Sequence, residues 1–360
     1  MSKLFDPLPL RAVVLPNRIG IPPMCQYSAQ DGMASDWHFV HYGSRAAGGA
    51  GLIIVEATAV APEARISPAD LGLWCDAQVE PLARIARFMR AQGSVAAIQL
   101  AHAGRKGSAA LGWQEQRTLA VGEGGWQTLA PSALSFGEGY ATPQELDAAG
   151  ISRVVEQFAA AARRARAADF QVVEIHAAHG YLLHEFLSPL SNLRQDDYGG
   201  SFDNRSRLVR AVVAAVRAEW PQELPLLVRL SATDWVDGGW NADETVALCR
   251  ILKGMGVDLI DVSTAGLVPY AKIPVGPGFQ TAFAQRIGAE AAIPTAAVGL
   301  ITSAAQAAHI VGTGQADLVL LGRELLRDPY WPLHAAQELR QSATWPEQYR
   351  RAAPAGTSAR

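Results

Sequence analysis

Short apolar runs alternate along this chain with longer segments whose apolar residues recur every three or four positions. The short runs are rich in Val, Ile and Leu and predict strands, while the longer periodic segments predict helices. The eight predicted strands are Arg18–Pro22, Gly51–Glu56, Val95–Leu100, Val172–His176, Leu226–Ser231, Leu259–Ser263, Thr295–Val298 and Leu318–Leu321. The predicted helices are Trp37–Ala47, Pro81–Gln92, Ile151–Ala168, Asn204–Trp220, Ala242–Met255, Ala282–Ala291 and Ala304–Val311.

This strict alternation predicts an α/β fold with a parallel sheet, and eight units indicate a closed (β/α)₈ TIM barrel. We expect a single domain over residues 1–351 and a disordered tail over 352–360. The alternative is an open doubly wound sheet, but no G-x-G-x-x-G follows the first strand, which disfavours its dinucleotide-binding form. Residues 101–150 are too many for a simple loop. They predict an excursion over the C-terminal mouth of the barrel, with a small hairpin around Trp126–Leu134.

Composition narrows the class of protein further. Of 360 residues, 49% are hydrophobic, and 31 basic residues oppose 34 acidic ones for a net charge of −3. This balance gives no indication of nucleic-acid binding. The three cysteines are scattered and form no CxxC pair, as is usual in a reducing cytoplasm. We see no signal-peptide core and no run of about 18 apolar residues, so we expect a cytoplasmic protein without a membrane span.

The segment from Glu174 to His184 carries the strongest chemical signal. An apolar run ends abruptly in His176, His179, Gly180 and Tyr181, as expected for a buried strand that leads into a functional loop. Two imidazoles and a phenol offer proton donors at one place. The alternatives are metal ligation, which needs further ligands and has no H-E-x-x-H motif here, and a pair of hydrogen-bonded core histidines.

Other strand ends also carry polar groups. In Leu227–Ser231, period-two alternation directs Arg229 into the barrel, where a guanidinium needs an acceptor. Either an interior carboxylate such as Glu174 or an electron-rich ligand can supply it. Gln99 ends another apolar strand in the same way. Cys25 follows the first strand and is either an inert thiol or part of the site.

The seventh and eighth strand ends suit a phosphate. Gly299 and Gly322 each stand between a strand and a predicted helix start, where backbone N–H groups can face an anion. Barrels often bind phosphate at these two loops. Glycines alone are a weak indication of a phosphate site, because any tight turn favours them. The adjacent Arg323 strengthens this indication.

Together these strand ends resemble the old yellow enzyme family, the FMN-dependent ene-reductases, and most closely its thermophilic-like subclass, which includes the xenobiotic reductases. The resemblance runs from Leu4 to about Arg351. The segments that carry it are Pro22–Tyr27, Ile98–Lys106, His176–Tyr181, Tyr198–Arg205 and Gly322–Pro329.

The resemblance implies an NADPH dehydrogenase or ene-reductase with non-covalently bound FMN. The residues implied in flavin binding are Pro22, Pro23, Met24, Cys25, Ala59, Gln99 and Arg229, with Gly299, Gly322 and Arg323 at the phosphate. The substrate would contact Tyr27, and His176 and His179 would bind its carbonyl or nitro oxygen. Tyr181 would donate the proton that completes reduction of an enone, maleimide or nitroalkene, with nitro compounds and nitrate esters as further acceptors.

The resemblance also implies a homodimer or homotetramer, in which an arginine of the C-terminal segment reaches the neighbouring active site. Motif spacing favours Arg351 over Arg350 as this residue. Two other hypotheses remain. One is a flavin-free barrel lyase or aldolase that uses a Schiff-base lysine, although neither Lys106 nor Lys272 lies in a setting expected to depress its pKa. The other is a non-catalytic flavin-binding protein.

Overall fold

The apolar runs predicted as strands form a closed parallel barrel in the computed structural model, which describes residues 3–354. Twelve strands are present in this part of the chain: β1 (Leu8–Leu10), β2 (Val13–Leu15), β3 (Ile19–Ile21), β4 (Leu52–Ala59), β5 (Val95–Ala101), β6 (Leu129–Ala130), β7 (Gln144–Glu145), β8 (Val172–Ala177), β9 (Leu226–Ser231), β10 (Leu259–Ser263), β11 (Thr295–Val298) and β12 (Leu318–Leu320). The barrel runs β3-β4-β5-β8-β9-β10-β11-β12 and closes where Val319 pairs with Ile19. The predicted (β/α)₈ barrel is therefore confirmed.

Helices surround the barrel and connect successive strands. They are α1 (Asp36–Ala47), α2 (Val79–Ala91), α3 (Ala148–Ala167), α4 (Leu182–Leu187), α5 (Phe202–Arg205), α6 (Arg207–Glu219), α7 (Ala242–Gly254), α8 (Thr281–Ala291), α9 (Ala304–Gly312), α10 (Gly322–Arg327) and α11 (Trp331–Glu338). The single helix predicted over 204–220 is instead divided at Ser206. The Ser206 hydroxyl donates to the Asp203 carbonyl at 3.3 Å, and such local bonds compete with regular helix geometry.

An N-terminal hairpin, which the sequence pattern did not reveal, packs against one end of the barrel. β1 pairs with β2 in antiparallel register. Leu8, Leu10 and Leu15 belong to a buried cluster with Leu52 and Leu318, which lie at or near the starts of their barrel strands. Strands of three residues are too short for their alternation to stand out in sequence.

The segment after β5 contains a pairing that corrects the predicted hairpin around Trp126–Leu134. Leu129 of β6 lies opposite Gln144 of β7, and the two strands are parallel. A parallel pair requires a wider connection than a hairpin turn. The excursion lies over the C-terminal end of the barrel, since Trp113 packs edge-on against Tyr27 and Arg105 donates to the Leu267 carbonyl at 2.7 Å.

No helix within residues 3–354 is long and apolar enough to cross a membrane. Most of the tail predicted to be disordered, residues 355–360, lies outside the described residues. Residues Glu347–Ala352 form a 3₁₀ turn with no buried side chain.

Candidate active site

Three side chains from the predicted motif lie side by side at the C-terminal end of β8. The ring centroid of His176 is 5.2 Å from that of His179 and 5.0 Å from that of Tyr181, both in edge-to-face contact. His176 lies on the strand, whereas His179 and Tyr181 lie on the turn that precedes α4. The turn therefore brings all three groups to one point.

Both histidines are neutral at pH 7. Burial, reinforced by the nearby Arg229 guanidinium, holds the pKa of His176 and of His179 well below the ordinary value. Nδ1 of His176 accepts a hydrogen bond from the Ala178 amide at 3.3 Å. The proton of this neutral ring is therefore on Nε2, and Nε2 has no hydrogen-bond partner among the described residues.

Two serines that the sequence analysis missed hold His179. Its amide donates to Ser231 Oγ at 2.9 Å, and its Nε2 lies 2.7 Å from Ser263 Oγ. These serines are the last residues of β9 and β10. Their positions at strand ends are the signal that could have identified them. Nδ1 of His179 has no partner within residues 3–354.

The two tyrosines of the site are protonated at neutral pH. Burial raises the pKa of the Tyr181 phenol well above its ordinary value and also raises that of Tyr27. The Tyr181 hydroxyl makes no hydrogen bond with another described residue. Tyr27 adopts a left-handed backbone, with φ of 51°, and its ring centroid lies 5.6 Å from that of Trp113. Both phenols can therefore donate a proton to a ligand.

Arg229 points into the barrel, but its carboxylate partner is Asp261 rather than Glu174. The two residues are direct register partners on β9 and β10, and Nε of Arg229 lies 3.0 Å from Asp261 Oδ2. Glu174 instead accepts from the Gln99 amide at 2.8 Å. Neither Nη atom of the arginine donates a hydrogen bond to a described residue. The guanidinium therefore keeps donors available for a ligand beside its ion pair.

The segment that follows β3 is held by a buried carboxylate. Glu56 accepts from the Gln26 amide at 2.9 Å and from the Tyr42 hydroxyl at 2.7 Å. Burial, with the nearby carboxylates of Asp70 and Glu56, raises the pKa of the Cys25 thiol well above its ordinary value. Cys25 is thus a protonated thiol, and sequence analysis missed the Glu56–Tyr42 pair that fixes the adjacent backbone.

The ends of β11 and β12 lie next to each other, since Val298 pairs with Leu320. Gly299 has φ of +122°, and a Cβ there would lie 2.9 Å from a ring carbon of Phe279. Gly322 begins α10. The neighbouring Arg323 is exposed and makes no ion pair or hydrogen bond with a described residue. Two glycine turns and an unpaired guanidinium therefore meet at this edge.

Comparison with known proteins decides the family. The model of the NADH:flavin oxidoreductase / NADH oxidase family matches residues 3–342. The chain belongs to this family. An NADPH dehydrogenase of Geobacillus sp. (strain WCH70) is 48% identical over 352 residues, which cover 97% of this chain and 98% of that protein.

Solved structures lead to the same conclusion. Morphinone reductase superposes with a TM-score of 0.78 at 28% identity, covering 96% of this chain and 92% of its own. An old yellow enzyme homologue from Zymomonas mobilis gives a TM-score of 0.78 at 26% identity, covering 98% and 99%. The resemblance to the old yellow enzyme family is confirmed, and the chain is a flavin-dependent oxidoreductase.

The site fits FMN, the cofactor of this family. The free Nη donors of Arg229 suit the acceptor-rich edge of a flavin ring. The unpaired Arg323 beside Gly299 and Gly322 suits a phosphate group. Because donors without protein partners occur at both places, the residues present are compatible with the group.

The expectation about Lys106 was wrong. Burial lowers its pKa to about 8, although its neighbours in the sequence do not indicate an apolar setting. Its Nζ donates to the backbone carbonyls of His179 at 2.9 Å and Gly266 at 3.1 Å, so the ammonium is engaged in bonds to the backbone. Lys272 is exposed. With membership of a flavin-dependent family, the Schiff-base lyase hypothesis has no remaining support.

Proposed function

We propose that this protein is an NADPH-dependent FMN ene-reductase that reduces alkenes activated by a carbonyl or nitro group. One observation carries the proposal: the neutral rings of His176 and His179 and the protonated phenol of Tyr181 lie together beside Arg229. The reductant is inferred from the Geobacillus relative, whose name is NADPH dehydrogenase.

The two imidazoles would bind the oxygen of the activating group. FMN, when bound, would supply hydride to the β-carbon of the alkene. Negative charge would then develop on the substrate oxygen, where Nε2–H of His176 and the imidazole of His179 can stabilise it. Tyr181 would protonate the α-carbon as a general acid, and Tyr27 would be a further substrate contact.

Other residues would hold the cofactor. Gln99 and Arg229 would bond the pyrimidine edge of the ring, where a cation is a usual protein influence on flavin electronics. Gly299, Gly322 and Arg323 would hold the phosphate. The segment that follows β3, together with the end of β4, would line the ring through Pro22, Pro23, Met24, Cys25 and Ala59. The Cys25 thiol would tune the potential through its polarisable sulfur.

The C-terminal segment supports a shared site in a homodimer or homotetramer. Tyr349 is 47% exposed and lies in a turn with no buried side chain. Arg350 pairs with Glu347 at 2.6 Å, whereas Arg351 makes no ion pair with a described residue. Arg351 is therefore the arginine available to reach a neighbouring subunit.

Anaerobic stopped-flow spectroscopy tests the proposal. Purified protein should be yellow and release FMN on denaturation. NADPH should bleach it, and cyclohexenone, a maleimide or a nitroalkene should restore the oxidised spectrum. Bleaching without reoxidation by any of these acceptors would support the non-catalytic flavin-binding hypothesis. Absence of flavin would refute the assignment of FMN to this site.

A further inference from the structure

The peptide group between His179 and Gly180 is held at both ends by buried side chains. Its carbonyl accepts from Nζ of Lys106 at 2.9 Å, and its N–H donates to Nδ1 of His184 at 2.9 Å. Both residues that the peptide joins are left-handed, with φ of 59° at His179 and 73° at Gly180. A residue with a Cβ in that conformation costs about 1 kcal/mol or more. The two bonds offset this cost.

Lys106 joins this turn to the loop that follows β10. Besides the His179 carbonyl, its ammonium donates to the carbonyl of Gly266 at 3.1 Å. The two loops are in backbone contact, since a Cβ on Gly266 would lie 2.6 Å from the Cα of His179. The same ammonium lies 5.0 Å from the ring centroid of Tyr181. One side chain therefore connects three strand-end segments at the proposed substrate site.

His184 is itself fixed by a buried carboxylate. Its Nε2 lies 2.9 Å from Asp234 Oδ1, and Asp234 also accepts from the Ser188 hydroxyl at 2.7 Å and the Trp240 amide at 2.8 Å. Although burial opposes ionisation, the His184 ring and these bonds lower the pKa of Asp234. An ionised partner at Nε2 places the ring proton there. Nδ1 is then the acceptor that Gly180 requires.

We propose that Lys106 and His184 are positioning residues that hold the His179–Gly180 peptide, so that His179 and Tyr181 keep the geometry needed for substrate reduction. The expected effect on the rate of substrate reduction rests on the proposed function, whereas the expected effect on the His179–Gly180 peptide does not. Neither side chain is placed against substrate or cofactor, so both act through the backbone of the turn. In a preorganised site, a displacement of about 1 Å can cost up to about a hundredfold in rate.

Lys106 and His184, with the His179–Gly180 peptide that they hold, are called the clamp below. The charge on Lys106 gives this clamp a pH dependence. Burial lowers the pKa of Lys106 to about 8, and burial also raises the pKa of Glu185 to about 8. The charged or titratable groups around the ammonium are Arg105, His176, His179, Tyr181 and Glu185. Below pH 8 the ammonium donates charge-assisted bonds, and above it the neutral amine binds the two carbonyls more weakly. Substrate reduction should therefore decline as the pH rises through about 8.

Amide hydrogen exchange tests the structural part without any assay of activity. Holoenzyme is labelled in deuterated buffer, and exchange is resolved at Gly180 within the segment 178–185. Lys106→Met and His184→Leu should each increase exchange there. His184→Asn, which keeps an acceptor near Nδ1, should increase it less than His184→Leu. Lys272→Met removes an exposed lysine from the loop that also contains Gly266, and it should match the wild type. Unchanged exchange in both Lys106→Met and His184→Leu would overturn the proposal.

Stopped-flow measurement of the two half-reactions, flavin reduction by NADPH and flavin reoxidation by substrate, tests the catalytic part of the proposal. Lys106→Met should retain FMN and its rate of reduction by NADPH, but slow reoxidation by cyclohexenone about ten- to a hundredfold at pH 7. It should also lose the decline near pH 8, whereas Lys106→Arg should move that decline to higher pH. Glu185→Gln should keep the decline but move it to lower pH, since the Glu185 carboxylate raises the pKa of Lys106.

The outcomes separate the two proposals. A wild-type enzyme that reduces cyclohexenone, with Lys106→Met equally fast and equally dependent on pH, would refute the clamp alone. A wild-type enzyme that reduces no acceptor, but whose variants still increase exchange at Gly180, would refute the proposed function and leave the clamp intact.

Discussion

Ser263 Oγ lies 2.7 Å from Nε2 of His179, and this contact determines which edge of the imidazole can meet a ligand. The same hydroxyl also reaches Oε1 of Gln280, at 3.3 Å. Because Nε2 already has this protein partner, Nδ1 is the ring nitrogen left to face a ligand. A serine at the end of β10 thereby orients the imidazole of His179.

Ser263→Ala should weaken substrate reduction more than flavin reduction. Without the hydroxyl, the imidazole of His179 loses its partner at Nε2 and can rotate, so the ring is no longer preorganised. We expect reoxidation by cyclohexenone to slow about tenfold, below the loss expected for removing a donor outright. Stopped-flow measurement of both half-reactions checks this. Thr264→Val removes the adjacent hydroxyl, which bonds Gln280 rather than His179, and serves as the matched control.

His176→Ala and His179→Ala should each retain FMN and lose rate in substrate reduction. Each change removes one donor directed at the substrate oxygen, a loss that typically costs about 10²–10³ in rate. Reoxidation kinetics and the ratio of flavin to protein are measured together. His334→Ala, at an exposed histidine that pairs with Asp328, is the control. A variant that loses flavin yet keeps its turnover per bound flavin would contradict the assigned role.

Tyr181→Phe should slow enone reduction while leaving reduction by NADPH unchanged. The phenol acts only when the α-carbon accepts a proton, and its raised pKa keeps it protonated through neutral pH. Reduction in D₂O should show a solvent isotope effect on reoxidation in the wild type that is altered in the variant. Equal slowing of both half-reactions would instead indicate a structural role for Tyr181.

The stability of the protein should depend on pH through buried histidines. Burial lowers the pKa of His102 to about 4. The neutral His102 ring therefore contributes its full share of the free energy of unfolding above about pH 6.5, which is the pKa of histidine in the unfolded chain. This contribution is lost as the pH falls toward 4. His102→Asn keeps an acceptor for the Gly104 amide but cannot titrate. Its urea-unfolding free energy should decline less steeply than that of the wild type between pH 6.5 and 4, by at most about 1.4 kcal/mol per pH unit.

Comparison with the wild type is essential here, because Asp70 acts in the opposite direction. Burial raises the pKa of that carboxyl to about 7, so its contribution grows as pH falls. Equal slopes in wild type and His102→Asn would show that His102 is not buried in its neutral form.

Arg351→Ala should raise KM for NADPH or enone, whereas Arg350→Ala should change it little. Arg350 is already paired with Glu347, so only Arg351 is available to a neighbouring site. A mixture of chains carrying Arg351→Ala and chains carrying His176→Ala, exchanged as subunits, should exceed the mean activity of the two parents. The shared site would be rejected if the protein sediments as a monomer, or if the activity of the mixture equals the mean activity of the two parents.

The sequence alone determined the barrel and most of the grouping at its mouth. Strands buried on both faces must be nearly uniform in apolar residues, as in Val172–Ile175, so their number and order are visible in the chain. Parallel strands of a barrel end on the same side. The grouping of His176, His179 and Tyr181 with Arg229 therefore followed once the strands were known.

Only the tertiary structure decided how those groups are held. Arg229 meets Asp261 rather than Glu174 because the register places Asp261 opposite Arg229 and Glu174 opposite Leu227. The periodicity of a single strand carries no register between strands. Lys106 has no apolar neighbours in sequence, and its burial comes from loops distant along the chain. The clamp on the His179–Gly180 peptide joins residues from two strand ends and a helix. Long-range contacts of this kind depend on how the loops pack, which local propensity does not encode.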